Sequence, residues 1–141
     1  MNHLPVVSRQ FRQAIAHEMP GLGNDPALWR LLLYLCFGTR RDYHTGRLLL
    51  SGKTLAWLEG VEYSAYYSGD RFLQRFRDRC HVVLTLTEPD PSNHQARTVK
   101  AFIPSVEAER LIVEERLNQD VSDCVDIVTG QANKLCIALA T

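Results

Sequence analysis

The sequence predicts an α+β fold, mainly helical, from three observations. Several stretches with helical periodicity open on a capping residue and close on glycine or proline. A β-branched run, a turn and a second extended run read as an antiparallel hairpin. Over 141 residues, 45% apolar and 23% charged side chains match ordinary soluble domains. That composition excludes a disordered tail, a collagen-like chain and a coiled coil. A chain this long buries roughly two thirds of its unfolded surface, so its core requires neither a disulfide nor a metal.

Ser8 caps a first helix over residues 9–19, which Pro20 and Gly21 end. Asp25 caps a second helix with Pro26 at its first position, where a missing N–H costs least. That helix passes through Trp29, Leu32, Leu33, Leu35 and Cys36 to Phe37, and Gly38 ends it. It is apolar nearly all round and belongs at the centre of the core. Residues 40–46 form a polar loop and 47–50 a short strand. Ser51 caps a third helix, 52–58, ended by Gly60. An aromatic-rich linker, 61–67, leads to Ser68 and a fourth helix over 69–79. Residues 81–87 are a strand, 88–93 a turn and 97–103 the return strand. Pro104 and Ser105 open a last helix from 106 to about 119. Residues 121–141 read as a second hairpin, a short helix or a tail docked on a partner. No repeat or low-complexity stretch interrupts this order.

The order helix, small strand, helix, turn, helix, hairpin, helix over residues 25–119 resembles the winged-helix superfamily. The resemblance is architectural and rests on no family-defining motif. It implies a winged helix-turn-helix at 25–119, an N-terminal helix and loop at 1–24, and a C-terminal extension at 120–141.

The formal net charge is zero, from 16 basic and 16 acidic residues, but the layout is uneven. Residues 1–104 carry 13 Lys and Arg against 9 Asp and Glu; residues 105–141 carry 3 against 7. A basic body with an acidic end fits an anionic partner. Thirteen of the basic residues are Arg, whose planar fork pairs with phosphate and guanine edges. A GC-rich coding sequence would give the same bias.

On the fourth helix, Phe72, Leu73 and Phe76 share a sector with Cys80, while Arg71, Gln74 and Asp78 point away and Arg75 and Arg77 flank them. Arg and Gln read guanine and adenine in a major groove. The winged-helix resemblance makes this the recognition helix, so Arg71, Gln74, Arg75 and Arg77 are expected on double-stranded DNA. Lys53 and Thr54, at a helix start, are expected on phosphates, and Arg97, at the tip of a wing spanning 88–97, on a phosphate or the minor groove. Arg40, Arg41 and Arg47 add positive charge nearby. Against this stand Asp70, Asp78, Glu88 and Asp90, which also suit a merely solvated surface.

Partner-binding candidates are Tyr66 and Tyr67, suited to interfaces, and Glu109, Glu114 and Glu115 on the acidic helix. They serve a second expectation, a protein-binding adaptor acting on a host protein such as RNA polymerase. The neutral charge favours it, since many DNA binders are strongly basic.

Gly46 to Thr54 imitates a phosphate-binding loop, but five residues separate Gly46 from Gly52 where that motif has four, and three leucines fill the gap. The five histidines are scattered, and no C-x-x-C pair exists among Cys36, Cys80, Cys124 and Cys136. No metal, cofactor or enzymatic activity is expected. The first residues lack an apolar signal core, and the longest apolar run, residues 31–37, is too short for a membrane span. The expectation is therefore a non-enzymatic cytoplasmic DNA-binding protein of transcription control or replication, in a bacterial, phage or other mobile-element genome.

Overall fold

The computed structural model describes residues 4–130, with side chains as far as residue 119. Among these, five α-helices and three short strands form one α+β body. The helices are α1 (Arg9–Glu18), α2 (Pro26–Phe37), α3 (Gly52–Glu59), α4 (Asp70–Cys80) and α5 (Val106–Gly130). The strands are β1 (Leu49–Leu50), β2 (Val83–Leu86) and β3 (Arg97–Ile103), antiparallel in the order β1-β3-β2. Short 3₁₀ turns at Pro20–Leu22 and Pro91–Asn93 complete the elements.

Local chemistry sets the helix starts. The Ser8 hydroxyl accepts from the Phe11 amide, Asp25 from Ala27 and Leu28, and Ser51 from Thr54. The fourth start differs from expectation. Gly69, not Ser68, is the residue before α4, in the left-handed region at φ 75°. A Cβ there would also stand 2.6 Å from Leu55 Cδ1, so glycine permits both the turn and the close approach to α3. Gly21 permits a second one: its Cβ would fall 1.7 Å from the Arg79 carbonyl oxygen at the end of α4.

The second helix is the hub. Leu28, Leu31 and Leu32 of α2 are fully buried, together with Ile15 and Leu22 from the N-terminal segment, Leu55 and Leu58 from α3, and Phe72, Leu73 and Phe76 from α4. Each such side chain contributes about 1.5–3 kcal/mol relative to exposure. The N-terminal helix and loop contribute Phe11, Ile15 and Met19 to this same core.

Strands β1 and β2 are shorter than expected, whereas β3 has the expected bounds. His81 takes a left-handed conformation at φ 53° and caps α4, which pushes the start of β2 to Val83. Val83 pairs with Ile103, Leu84 with Phe102 and Thr85 with Ala101; an irregularity follows Thr85. The last helix is longer than expected, so the expected boundary at 119/120 falls inside α5. Of the expected C-terminal extension, residues 131–141 lie outside the described residues. Among the described residues no helix is long and apolar enough to cross a membrane.

Candidate nucleic-acid interface

Three junctions tie the starts of α3 and α4 to each other and to the hairpin. The Gly52 amide, left without an intrahelical partner at the start of α3, donates to the His94 carbonyl at 2.8 Å. Gly69 brings the start of α4 against Leu55 of α3. Arg97, the first residue of β3, donates to Asp70, the first of α4, at 2.7 Å. The start of α3 is therefore tied to the β2–β3 loop, and the start of α4 to α3 and β3. His94 and Gln95 in that loop both hold positive φ, 52° and 57°. Two successive non-glycine residues there carry backbone strain, and the bend aims the His94 carbonyl at α3.

Arg71 and Gln74 stand exposed on the outer side of α4, while Phe72, Leu73, Phe76 and Cys80 are buried. Gln74 donates to Asp78 at 2.7 Å. Lys53 is exposed, and its Nζ lies 5.9 Å from the Tyr63 ring centroid, with His94 edge-on to the same ring.

Other expected nucleic-acid contacts are engaged within the fold. Thr54 is buried and its hydroxyl is hydrogen-bonded with that of Ser51, so it presents no group to a phosphate. Arg97 donates to the Thr87 carbonyl as well as to Asp70 and is nearly buried, so it fastens the hairpin to α4 instead of reaching outward. Arg77 donates to the Leu84 carbonyl at 2.8 Å and ties α4 to β2. Burial, and then the Arg97 charge, holds its pKa below the usual guanidinium value. Arg75 lies over the Phe72 ring, its Nε 3.4 Å from Asp25 Oδ2. That atom is buried and not aligned for a hydrogen bond, so the attraction is one of charge alone. Arg79 reaches the same Asp25 oxygen.

Asp25 is a residue that sequence reasoning reads only in half. Its Oδ1 caps α2 as expected, but its Oδ2 also faces Arg75 and Arg79. The signal is present in the sequence: Arg75 and Arg79, four apart, share one helical flank.

The partner-binding candidates also divide. Tyr66 is almost wholly exposed, and Glu109 and Glu114 are exposed on α5, with Glu114 paired to Arg110. Tyr67 is half-buried and donates to Glu59 at 2.7 Å; burial and that carboxylate raise its pKa. Glu115 does not fit the expectation. It is buried and accepts from both the amide and the hydroxyl of Ser8, so it joins α5 to the cap of α1.

Cys36 and Cys80 are free and buried, and burial pushes their thiols up to about 12 and about 11. No group of three or more His, Cys, Asp or Glu side chains suited to a metal occurs among the described residues. Comparison with protein-family models, curated proteins and solved structures finds no match.

Proposed function

We propose that the chain is a winged-helix protein that binds double-stranded DNA without catalysing a reaction. The element order α2-β1-α3-α4-β2-β3 and the strand order β1-β3-β2 support the winged-helix reading. The observation that carries the binding reading is the tying of the α3 and α4 starts to each other and to the hairpin. The two helix starts carry Lys53 and Arg71, both exposed, and Gln74 is exposed one turn further along α4. In this reading Arg71 and Gln74 enter the major groove, and the Lys53 ammonium takes phosphate. Arg75, Arg77 and Arg97 hold the scaffold. The free thiols of Cys36 and Cys80 suit the reducing cytoplasm, where such a protein would act in transcription control or replication.

The test is fluorescence anisotropy on a mixed-sequence duplex across a salt series. Affinity should fall steeply with salt and drop in Arg71→Ala and Lys53→Ala. Failure to bind at low salt, or binding indifferent to both substitutions, rejects the reading.

A second reading, a protein-binding adaptor, is favoured by one observation. Trp57, Val61 and Tyr66, from the end of α3 and the linker beyond it, leave 40%, 46% and 97% of their surface exposed. Apolar contacts there would bind a partner such as RNA polymerase with little salt dependence.

A further inference from the structure

The loop between α2 and β1 is built as a rigid finger over residues 40–47. Arg41 and Leu48 form an antiparallel bridge, and the Leu49 amide donates to the Arg40 carbonyl at 2.9 Å. The Asp42 amide donates to the Arg47 carbonyl at 2.8 Å and the Gly46 amide to the Asp42 carbonyl at 2.9 Å. Inside the turn, Asp42 Oδ1 accepts from the His44 and Thr45 amides at 3.0 and 2.8 Å. Hydrogen bonds from Thr45, and then from His44, hold the Asp42 carboxyl below its ordinary pKa. At the root, Tyr34 of α2 donates to the Leu49 carbonyl at 2.7 Å.

The finger's one carboxylate is thus turned inward to order its own backbone. Its cations face outward. Arg40, Arg41 and Arg47 are exposed, and among the described residues none pairs with a carboxylate. At the tip Tyr43 is 95% exposed, touched edge-on by His44. A tyrosine this bare contributes nothing to the core, so packing does not account for it.

The finger also stands apart from the α3–α4 surface. Strand β1 separates them: Ser51 leads into α3 beside the His94 carbonyl, while Arg47 lies at the other end. Four extended steps between Arg47 and Ser51 cover roughly 13 Å.

We propose that the finger binds single-stranded nucleic acid, with an unpaired base stacked on Tyr43 and the flanking phosphates on Arg40, Arg41 and Arg47. Aromatic rings combined with cations along a backbone track are the general means of holding unpaired strands. A base inside a duplex offers no free face to such a ring. This inference goes beyond the duplex reading and does not depend on it.

The experiment compares a short oligodeoxythymidine, the matching oligouridine and a mixed-sequence duplex by fluorescence anisotropy. Tyr43→Ala should weaken oligonucleotide binding by roughly tenfold. Replacing Arg40, Arg41 and Arg47 by Ala should reduce the slope of log affinity against log salt by about 2, at roughly 0.7 for each phosphate no longer neutralised. Circular dichroism spectra of the variants verify the fold. Tighter binding of oligouridine identifies RNA as the ligand, and tighter binding of oligodeoxythymidine identifies DNA. No binding of either strand at low salt, or binding that the finger variants leave unchanged, overturns the proposal. Duplex affinity, read in parallel against Arg71→Ala, reports separately on the α3–α4 surface.

Discussion

Arg97 and Asp70 lock the first residue of β3 to the first residue of α4, with Arg97 Nη1 2.7 Å from Asp70 Oδ1. The same guanidinium also holds the Thr87 carbonyl at 2.9 Å. Asp70 is largely exposed, so solvent screens the ion pair and most of the stabilisation comes from the carbonyl bond. Arg97→Ala should therefore lower stability by about 1–2 kcal/mol. A thermal melt would show this as a shift of a few degrees. An unshifted melt would mean that the guanidinium is dispensable to the scaffold.

Glu115→Ala should be more damaging. It removes the acceptor for two Ser8 donors, at 2.7 and 3.0 Å, in a buried setting. Hydrogen bonds to a charged group contribute about 1.5–3 kcal/mol each, and the abandoned Ser8 amide adds a desolvation cost. Urea unfolding should show a lower midpoint with an unchanged slope. Stability equal to the parent chain would contradict an internal role for this carboxylate.

Gly21→Ala tests the tight approach of the first 3₁₀ turn to α4. The new methyl would overlap the Arg79 carbonyl, a backbone atom that cannot turn aside. The turn must lift from the end of α4, at a cost of several kcal/mol by the standards of overpacked sites. The expected sign is a large loss of soluble, cooperatively melting protein.

The thiols set an alkaline limit. Burial raises Cys80 from its ordinary value of 9.0 to about 11, so the unfolded chain loses that proton first. This contribution is fully present below pH 9 and is lost as pH rises towards 11. Cys36 acts in the same direction over the wider window from 9.0 to about 12. Denaturant midpoints measured across that window should decline, and less steeply in Cys80→Ala. Peptide mapping after alkylation at about pH 8 should find Cys36 and Cys80 protected until the protein unfolds.

Substituting Arg71 and Arg75 separately distinguishes contact from scaffold. Arg71→Ala should reduce duplex affinity by about 1–3 kcal/mol and relax base preference, whereas Lys53→Ala should lower the salt slope by about 1. Arg75→Ala removes a cation held against Phe72 and Asp25, so its main effect should be on melting temperature. The reverse pattern would show that the two residues exchange roles.

Helix positions are legible in the sequence because capping residues and apolar spacing act locally. Ser8, Asp25 and Ser51 each cap as expected, and the buried side of α4 holds the four residues its periodicity indicates. The start of α4 is not legible, because Gly69 serves through its backbone and its closeness to Leu55, which no local signal reveals. The candidate site is less legible still. Helical geometry separates outward from inward residues, but not a free guanidinium from one bound to a distant carbonyl. Arg77 meets Leu84, Arg97 meets Thr87 and Glu115 meets Ser8 only through the tertiary fold. Tyr43 gives no signal in the sequence, because a tyrosine in a polar loop looks ordinary until its surroundings are known to be empty.

The bond between Ser8 and Glu115 joins residues 107 positions apart. Closing that much chain costs entropy before the bond rewards it, so the contact is expected to form after α2, α3, α4 and the hairpin have drawn the ends together. By the same logic α1 and the start of α5 form the seam that opens first. Native-state hydrogen exchange should find the Ser8 amide released at a lower free energy than the amides of α2. A newly made chain would complete its body only once α5 has emerged.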